Sequence, residues 1–535
     1  MTEKLPEAID LSHHLSRVSR ARTTSPLKGL QKYFGKEGMI SLAGGLPHPD
    51  YFPFSTISAE ALPYDSYVSA MSNQSRGSFS WLWSFLSGGK KETVPITIPK
   101  YPANSGDISL STALQYSMAA GIPQLQRIMK EFTDKVYKPA YSNYATIVHT
   151  GNTDGWVKAS MTLCNPGEGV LVSEWTYPSA LSTIIPLGLK PVPVAMDYQG
   201  MKSDSLRIVL SSWDETTCGM PRPHVMYTVP IGQNPTGATM EAVRKKEIYD
   251  ICVEYDIIIV EDDPYYFLQE GPYDLPALRN KKPFKVDEDD ELFISHLAPS
   301  YLKFDYQGRV IRLDTFSKTI APGCRMGWFT CNPLFAERFE RQAETTTQAP
   351  CGFSQSIVTS LLLNWRYEGY LRWLKGLRVQ YTERRNFFID CLAEEFHLQR
   401  TLDTQGVWAG CEVYHASQKH RAEKQATNEK RAEIGNAVFS FVPPTSGMFV
   451  WLKLQLDGHP FFNTVGYKEL EMKLWTEIAE AGVLFGPGFM FSSNQRPDEG
   501  GSGHFRISFS NAEFGDMKKA VSIFATVLEK FFEHV

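Results

Sequence analysis

Lys318 lies among side chains that bind phosphate well. Thr315 and Ser317 precede it, and Arg325 follows it by seven residues. The two hydroxyls can donate to phosphate oxygens, and a guanidinium can bind them with two parallel hydrogen bonds. A lone lysine is usually a solvated surface residue, but an amine beside a phosphate clamp is placed to condense with an aldehyde on the same molecule. The spacing therefore predicts a Schiff base between Lys318 and pyridoxal 5'-phosphate (PLP).

Asp262 follows the very apolar stretch Ile257–Val260 and precedes Tyr265 by three residues. A carboxylate at the carboxyl end of a buried strand faces the ligand crevice of an α/β sheet. Asp-Asp and Asp-Pro are also common turn dipeptides, so a simple turn is the alternative. In the functional interpretation, Asp262 pairs with the protonated pyridine nitrogen and keeps the ring able to accept electrons. Tyr265 then hydrogen-bonds the phenolic oxygen of the ring.

Three further loops carry candidate cofactor ligands. Asn234 lies 28 residues before Asp262 and is expected to donate to the phenolic oxygen, which lowers the pKa of the Schiff base. Asn152 and Thr153 join a strand to a helix, and the N–H groups at such a helix start bind phosphate. Tyr177 is expected to stack on the pyridine ring and assist catalysis, with a purely structural tyrosine as the alternative.

Arg506 lies in the apolar segment His504–Ser510. An arginine in an apolar strand is rarely buried without a partner. The α-carboxylate of a substrate suits its planar fork, and a structural salt bridge is the alternative. We therefore expect Arg506 to bind substrate.

The middle of the chain must position these residues, and it alternates short apolar runs with helical patterns at 155–165 and 239–255. Alternation of this kind is typical of an α/β fold with a mostly parallel central sheet. Apolar runs bounded by Gly, Pro or Asp predict strands that are buried on both faces. The predicted strands are Thr146–His149, Val170–Glu174, Pro191–Val194, Val225–Val229, Ile257–Asp262, Val310–Phe316 and Arg325–Thr330.

The last third of the chain has a different pattern and predicts a smaller α+β domain. Helices are expected at 333–348, 353–397 and 514–533, and strands at Gly447–Lys453 and His504–Ser510. We divide the chain into an N-terminal arm with part of the small domain at 1–110, a large PLP-binding domain at 111–350, and the C-terminal small domain at 351–535. Residues 72–105 and the charged stretch 416–435 are predicted to be insertions.

The composition excludes several classes of protein. The chain has 535 residues, 42% of them hydrophobic and 21% charged, with a net charge of −5. That balance favours neither nucleic acid nor an anionic membrane, and indicates small molecules and copies of the chain itself as partners. The eight cysteines form no C-x-x-C pair, so the sequence predicts no metal site. We find neither a signal-peptide pattern nor an apolar run of about 18 residues, and expect a cytoplasmic protein.

In combination, these motifs resemble the class I aminotransferases of PLP fold type I, which have the aspartate-aminotransferase-like fold. Within that group the chain is most similar to the fungal aromatic-amino-acid aminotransferases and the kynurenine/2-aminoadipate aminotransferases. The resemblance runs from about residue 20 to the C-terminus. The segments that carry it are Ala21–Arg22, Ser25–Lys28, Ser41–Pro47, Leu114–Ser117, Ala120–Pro123, Tyr227–Pro230, Asn234–Gly237, Ile259–Leu268 and Gly447–Trp451.

The resemblance implies roles for residues outside the cofactor motifs. It implies a homodimer in which Tyr116 reaches the phosphate of the neighbouring subunit's cofactor. Gly45 and Phe449 are implied to line the substrate site. The N-terminal segment is implied to fold over that site, where Lys28, or else Arg22, would act as a mobile cation for acidic substrates.

The implied reaction moves the amino group of an aromatic amino acid (phenylalanine, tyrosine, tryptophan, with kynurenine as a further candidate) to 2-oxoglutarate. Kynurenine or 2-aminoadipate as the main substrate is one alternative. A fold-type-I PLP lyase or synthase is another, because it uses the same cofactor constellation. A transcriptional regulator is disfavoured, since too few residues precede Ser41 for a DNA-binding module and linker. The preferred amino acid stays open.

Overall fold

The computed structural model describes residues 4–26, 38, 40, 42–43, 45–67, 92–104, 106–279, 289–404, 406–419, 437–493 and 502–533. The strands are β1 (Thr56–Ala61), β2 (Val94–Pro99), β3 (Ala145–His149), β4 (Gly169–Ser173), β5 (Lys190–Val194), β6 (Met196–Asp197), β7 (Gly200–Met201), β8 (Val225–Thr228), β9 (Ile258–Asp262), β10 (Val310–Thr315), β11 (Gly327–Cys331), β12 (Phe396–Leu402), β13 (Glu412–Gln418), β14 (Phe439–Phe441), β15 (Phe449–Gln455), β16 (Gly486–Pro487) and β17 (Ser502–Ser508). The α-helices are α1 (Arg17–Ala21), α2 (Leu110–Ala113), α3 (Pro123–Val136), α4 (Asn152–Leu163), α5 (Pro178–Ile184), α6 (Ser203–Ser211), α7 (Glu215–Cys218), α8 (Ala242–Glu254), α9 (Pro276–Arg279), α10 (Asp290–His296), α11 (Pro333–Glu344), α12 (Gly352–Glu395, with a kink at Arg366), α13 (Phe462–Glu480, with a kink at Gly466) and α14 (Phe514–Glu533).

A seven-stranded sheet forms the centre of the large unit, in the order β3-β11-β10-β9-β8-β4-β5. The pairs from β10 to β5 are parallel, and β11 is antiparallel to both of its neighbours. All seven strands predicted from the apolar runs are present. Most of their residues are buried, which fits the continuous apolar runs of a sheet covered on both faces. The predicted α/β fold class is confirmed.

The parallel strands bring the predicted ligands to one edge. The Asn234 loop follows β8, Asp262 ends β9, and Thr315 ends β10. Because parallel strands end at the same edge of a sheet, these side chains meet at their carboxyl ends. Arg312 on β10 is fully buried and stabilises this edge. It forms ion pairs with the two residues that flank Asp262 in the sequence, Glu261 at 3.2 Å and Asp263 at 2.9 Å.

A second, six-stranded antiparallel sheet has the order β12-β13-β14-β15-β17-β16. In its centre Trp451 pairs with Arg506 across β15 and β17, and Lys453 pairs with His504. The strands predicted near 447–453 and 504–510 are confirmed, with small shifts of their ends. The other four strands of this sheet, β12, β13, β14 and β16, were not predicted from the sequence. Since β12 alternates apolar and polar residues and is half exposed, it lacks the apolar run by which the other strands are recognised.

Both predicted insertions include residues of strands. Within the segment 72–105, residues 92–104 contain β2, which pairs antiparallel with β1 along six residue pairs. Within the segment 416–435, residues 416–418 end β13. Residues 72–91 and 420–435 lie outside the described part of the chain. Among the described helices, none is long and apolar enough to cross a membrane.

Candidate active site

Asp262 is buried and holds one hydrogen bond on each carboxylate oxygen. The hydroxyl of Tyr227 donates to Oδ2 at 2.6 Å, and Nδ2 of Asn152 donates to Oδ1 at 2.6 Å. Burial raises the pKa of Asp262, and these two donors act in the opposite direction. The carboxylate is therefore fixed in orientation and desolvated, as a partner for a protonated ring nitrogen should be.

The side chain of Asn152 lies beside Asp262, at the start of α4. Its side-chain amide donates both to Asp262 and to the carbonyl of Leu313, the latter at 3.1 Å. An amide has two N–H bonds, so both are used and the side chain has none left for phosphate. The Asn152 side chain supports Asp262, and the backbone N–H groups at the start of α4, which are the phosphate donors expected from the sequence, remain for an anion. Thr153 is exposed on the first turn of α4.

The phosphate-binding candidates form a cradle beside that helix start. Gly151 has φ of 111°, and a Cβ at this position would collide with the guanidinium of Arg325. Arg325 itself adopts the left-handed conformation, with φ of 46° and ψ of 53°. Thr315 donates to the hydroxyl of Ser317 at 2.9 Å. The guanidinium, both hydroxyls and the helix start thus come from segments that meet at the edge of the sheet, as a phosphate site requires.

Lys318 is partly buried in the segment after β10. Burial lowers the pKa of its amine, and the positive charge of Arg506 lowers it further. Since an amine attacks a carbonyl only in its neutral form, this environment suits a nucleophilic lysine.

Arg506 reaches the same cleft from the small sheet. Its Nη1 donates to Oδ1 of Asn234 at 2.9 Å. The guanidinium carbon lies 4.5 Å from the ring centroid of Phe449 and 4.8 Å from that of Phe491. Its Nε is buried and has no hydrogen-bond partner among the described residues. Burial lowers the pKa of this arginine, and the unmatched N–H is what a substrate carboxylate would satisfy.

Two tyrosines complete the cleft. Tyr265 is buried, with its ring perpendicular to that of Phe449 at 5.7 Å between centroids. Burial raises the pKa of Tyr265, and the nearby Asp262 raises it further, so the phenol stays protonated and able to donate. Tyr177 directly precedes α5. The phenolic groups of Tyr265 and Tyr177 each raise the pKa of Arg506, against the larger effect of burial.

The residues fit PLP. The cradle at Gly151 and Arg325 offers donors to a phosphate, the buried Asp262 matches a pyridine nitrogen, and Lys318 supplies an amine of lowered pKa. The buried Oδ1 of Asn152 has no partner among the described residues. Unmatched buried polar atoms at the edges of a cleft are typical of a site built for a ligand.

Sequence reasoning missed two residues of this site. Tyr227 lies in the buried strand β8, where its hydroxyl needs a hydrogen-bond partner, and this need is the signal by which the sequence could have indicated it. Phe491 packs on Arg506, but nothing in its local sequence distinguishes it from a core phenylalanine.

Of the residues assigned by resemblance alone, Phe449 lies in this cleft beside Arg506. The others lie elsewhere or outside the described residues. Tyr116 and Gly45 are exposed on this single chain, and the two loops are joined because Gln115 donates to the carbonyl of Pro47 at 2.8 Å. Arg22 donates to Thr345 at 2.6 Å, beyond the end of α11. Lys28 lies outside the described residues.

Comparisons with known proteins agree with this geometry. The family model for class I and II aminotransferases matches residues 103–409. An aromatic amino acid aminotransferase from Schizosaccharomyces pombe is 37% identical over 529 residues, covering 98% of each chain. An L-tyrosine:2-oxoglutarate aminotransferase from Serpula lacrymans is 34% identical over 463 residues, covering 85% of this chain and 77% of that one. The crystal structure of aminotransferase Aro8 from Candida albicans superimposes with a TM-score of 0.82 and 33% identity, covering 99% of this chain and all of that chain. The chain therefore belongs to the class I and II aminotransferases, and PLP is its cofactor.

Proposed function

We propose that this enzyme transfers the amino group of an aromatic amino acid to 2-oxoglutarate, giving an aromatic 2-oxo acid and glutamate. One observation carries the proposal. Arg506, the candidate carboxylate-binding residue, is flanked by the rings of Phe449 and Phe491. A cleft that combines a carboxylate fork with aromatic walls suits an aromatic amino acid. The names of the relatives from S. pombe and S. lacrymans support the same substrate class.

In this proposal Arg506 binds the α-carboxylate through its free N–H groups. Asn234 accepts from Nη1 and holds the fork in plane, while its own amide N–H groups are left to donate to the phenolic oxygen of the cofactor. When bound, PLP supplies an electron sink for the electrons released at Cα. Lys318, whose neutral amine is favoured by burial, would act as the base that takes the proton from Cα of the substrate, and its protonated amine would then act as the acid in the second proton transfer.

Asp262 keeps the proton on the pyridine nitrogen in this scheme. Tyr227 and Asn152 hold the two carboxylate oxygens and prevent the group from rotating away from the ring. Tyr265 remains a donor because its pKa is raised, and it stabilises negative charge on the phenolic oxygen together with Asn234. Tyr177 would pack on the ring of the bound cofactor, and Thr315, Ser317, Arg325 and the start of α4 would bind its phosphate.

We also propose that the enzyme is a homodimer with Tyr116 reaching the neighbouring site. Large apolar side chains are exposed on the single chain in two segments joined through Gln115: Leu42, Leu46 and Tyr51 in one, and Tyr116 and Met118 in the other. Exposed apolar groups at this density indicate an interface between proteins. Sedimentation velocity should therefore give twice the mass of the chain.

Two organisational proposals accompany the function. The two sheets support a large domain at 111–350 and a small domain at 351–535. All eight cysteines are free thiols, which supports a reducing compartment such as the cytoplasm. Imaging of the tagged protein in its own cells checks the location.

A substrate panel tests the main proposal. Purified holoenzyme is given phenylalanine, tyrosine, tryptophan, kynurenine or 2-aminoadipate with 2-oxoglutarate, and glutamate is counted against amino acid consumed. We expect one glutamate per amino acid and the highest kcat/KM for an aromatic donor. The amino donor with the highest kcat/KM distinguishes the aromatic aminotransferase from the kynurenine or 2-aminoadipate alternative. Consumption without glutamate would establish the lyase or synthase alternative, and Lys318→Ala protein is the inactive control.

A further inference from the structure

A cavity of about 760 Å³ lies between the two sheets, beside the active site but separate from it. Its walls come from the loops after β4, β5 and β8 on one side, and from β15, β17 and the segments 406–411 and 442–445 on the other. Neither Lys318, Asp262 nor Arg506 lines it. Cavities of this size are typical of small-molecule sites.

The strands explain why the cavity and the active site are neighbours. Along a strand, residues two apart face the same side, about 6–7 Å from each other. Trp451 follows Phe449 by two residues, and His504 precedes Arg506 by two. The same sheet face therefore presents Phe449 and Arg506 to the active site, and Trp451, Lys453 and His504 to the cavity.

Three aromatic rings form one wall of this cavity. The rings of Trp451 and His504 stack with centroids 4.9 Å apart and an angle of 12° between their planes. Trp175 from the large unit closes the corner, with its centroid 5.2 Å from Trp451 and 4.8 Å from His504. Burial lowers the pKa of His504 to about 3, so this ring is neutral near pH 7. A flat apolar wall of this kind suits a planar aromatic ring.

The lining contains charges of both signs: the carboxylates of Glu174, Asp197 and Glu241, and the ammonium groups of Lys202 and Lys453. Three of these groups have partners, since the N–H of Met196 donates to Glu174 at 2.7 Å, Asp197 pairs with Arg244 at 2.8 Å and Lys202 pairs with Asp204 at 3.3 Å. Glu241 is exposed at the rim of the cavity. Lys453 is partly buried, stands opposite His504 in the strand register, and has no ion-pair partner within the part of the chain that the structure describes. An ammonium group beside an apolar surface that excludes water attracts an anion, so Lys453 can bind a carboxylate.

We propose that this cavity is an accessory binding site for a small planar aromatic carboxylate. The ring of the ligand packs on Trp175, Trp451 and His504, and its carboxylate binds Lys453. Because the walls come from both sheets, the ligand holds the two sheets together next to Arg506. The inference rests on the cavity alone and not on which amino acid the enzyme uses.

Titration calorimetry of the PLP-loaded enzyme with indole-3-acetate tests this site, since that probe has neither an amino nor an oxo group and is not turned over. We expect saturable binding to the wild type, and binding at least about tenfold weaker to Lys453→Met, because a charge-assisted hydrogen bond is lost. Lys453→Arg should bind nearly as well as the wild type. Lys468→Met removes an exposed lysine of the same domain and should change nothing.

The Arg506→Met variant separates the cavity from the active site. Unchanged binding in this variant, together with the loss in Lys453→Met, supports the accessory site. Binding that disappears in Arg506→Met would place the probe in the active site and overturn the proposal, as would an absence of binding to the wild type or equal binding to Lys453→Met. Lys453→Gln and thermal unfolding of each variant distinguish lost binding from lost folding.

Discussion

The hydroxyl of Tyr227 donates to Oδ2 of Asp262 at 2.6 Å, in a position where both groups are buried. Removing this donor leaves Asp262 with Asn152 as its side-chain donor and makes its negative charge less stable. We therefore predict that Tyr227→Phe lowers kcat about 10- to 100-fold, the range expected for a hydrogen bond to a charged group. Steady-state kinetics with the best aromatic donor measures the effect.

Tyr249→Phe is a matched control for this variant. Tyr249 is also buried and donates to an aspartate, Asp305, at 2.9 Å, but that pair is not among the residues around Lys318. It should leave kcat within about twofold of the wild type. An equal loss in both variants would mean that Tyr227 acts through the stability of the fold rather than through Asp262.

Lys318 and Arg506 are electrostatically coupled, which predicts a pH effect. Both burial and Arg506 lower the pKa of Lys318, so its neutral amine is present at lower pH than that of an ordinary lysine. Arg506→Met removes one of these two causes and should raise the pKa of Lys318. The rate at which PLP recombines with the apoenzyme should then rise with pH along a profile shifted to higher pH.

The attachment itself is checked by mass. Borohydride treatment of the holoenzyme should fix the cofactor to the peptide that contains Lys318. A pH profile that is identical in the wild type and Arg506→Met would show that burial alone sets the pKa of Lys318.

The positions of the site residues were predictable where the backbone decides them. Asp262 and Thr315 end segments that were predicted to be buried strands, so their meeting at one edge follows from the parallel sheet. The direction of the Asn152 side chain was not predictable. Its amide has a choice between phosphate and Asp262, and that choice depends on the distance between α4 and β9, two elements about 110 residues apart in the chain. Likewise β12 forms only because β13 pairs with it, and its own residues do not indicate a strand.

The carboxylate fork of Arg506 leads to a prediction for every substrate. Arg506→Ala should lower kcat/KM for aromatic and acidic substrates alike, by about 2–5 kcal/mol in transition-state stabilisation if the pair is desolvated. Arg506→Lys should recover only part of this, because an ammonium lacks the planar fork. Arg400→Ala is the control, since Arg400 is half exposed and pairs with Glu412. A loss of kcat/KM confined to acidic substrates would mean that Arg506 binds the distal carboxylate and not the α-carboxylate.

His14 predicts how stability depends on pH. It is buried, with Nε2 3.1 Å from Oδ1 of Asp256 and Nδ1 2.9 Å from Nδ1 of His224. Burial lowers the pKa of His14 to about 4, below its ordinary value of 6.5. Between these pH values the unfolded chain binds the proton and the folded chain does not, so acidification favours unfolding. Full titration of this group corresponds to up to about 3 kcal/mol of stability lost between pH 7 and 4.

Denaturant unfolding at several pH values tests this prediction. His14→Gln should lose less stability than the wild type when the pH falls from 7 to 4, although it is less stable at pH 7 because its contacts with Asp256 and His224 change. The exposed His48→Gln is the control and should follow the wild type. Parallel curves for His14→Gln and the wild type would contradict the assignment.

The last prediction concerns how one cleft accepts both an aromatic ring and the side-chain carboxylate of 2-oxoglutarate. The aromatic ring of the substrate requires an apolar surface that excludes water, and a distal carboxylate requires a cation. A fixed buried cation would therefore disfavour binding of the ring. A mobile cation on the N-terminal segment resolves the conflict, with Lys28 and Arg22 as candidates. Arg22 donates to Thr345 at 2.6 Å, and its carbonyl accepts from Arg338 at 3.1 Å, so it is already bound beside α11. This favours Lys28.

Lys28→Ala should raise KM for 2-oxoglutarate and 2-aminoadipate about tenfold and leave KM for phenylalanine nearly unchanged. Arg22→Ala should impair both substrate classes equally, because it loosens the N-terminal segment. If Lys28→Ala impaired the reaction of both substrate classes equally, Lys28 would hold the segment in place. If only Arg22→Ala impaired the reaction of the acidic substrates, Arg22 would be the residue that binds the distal carboxylate.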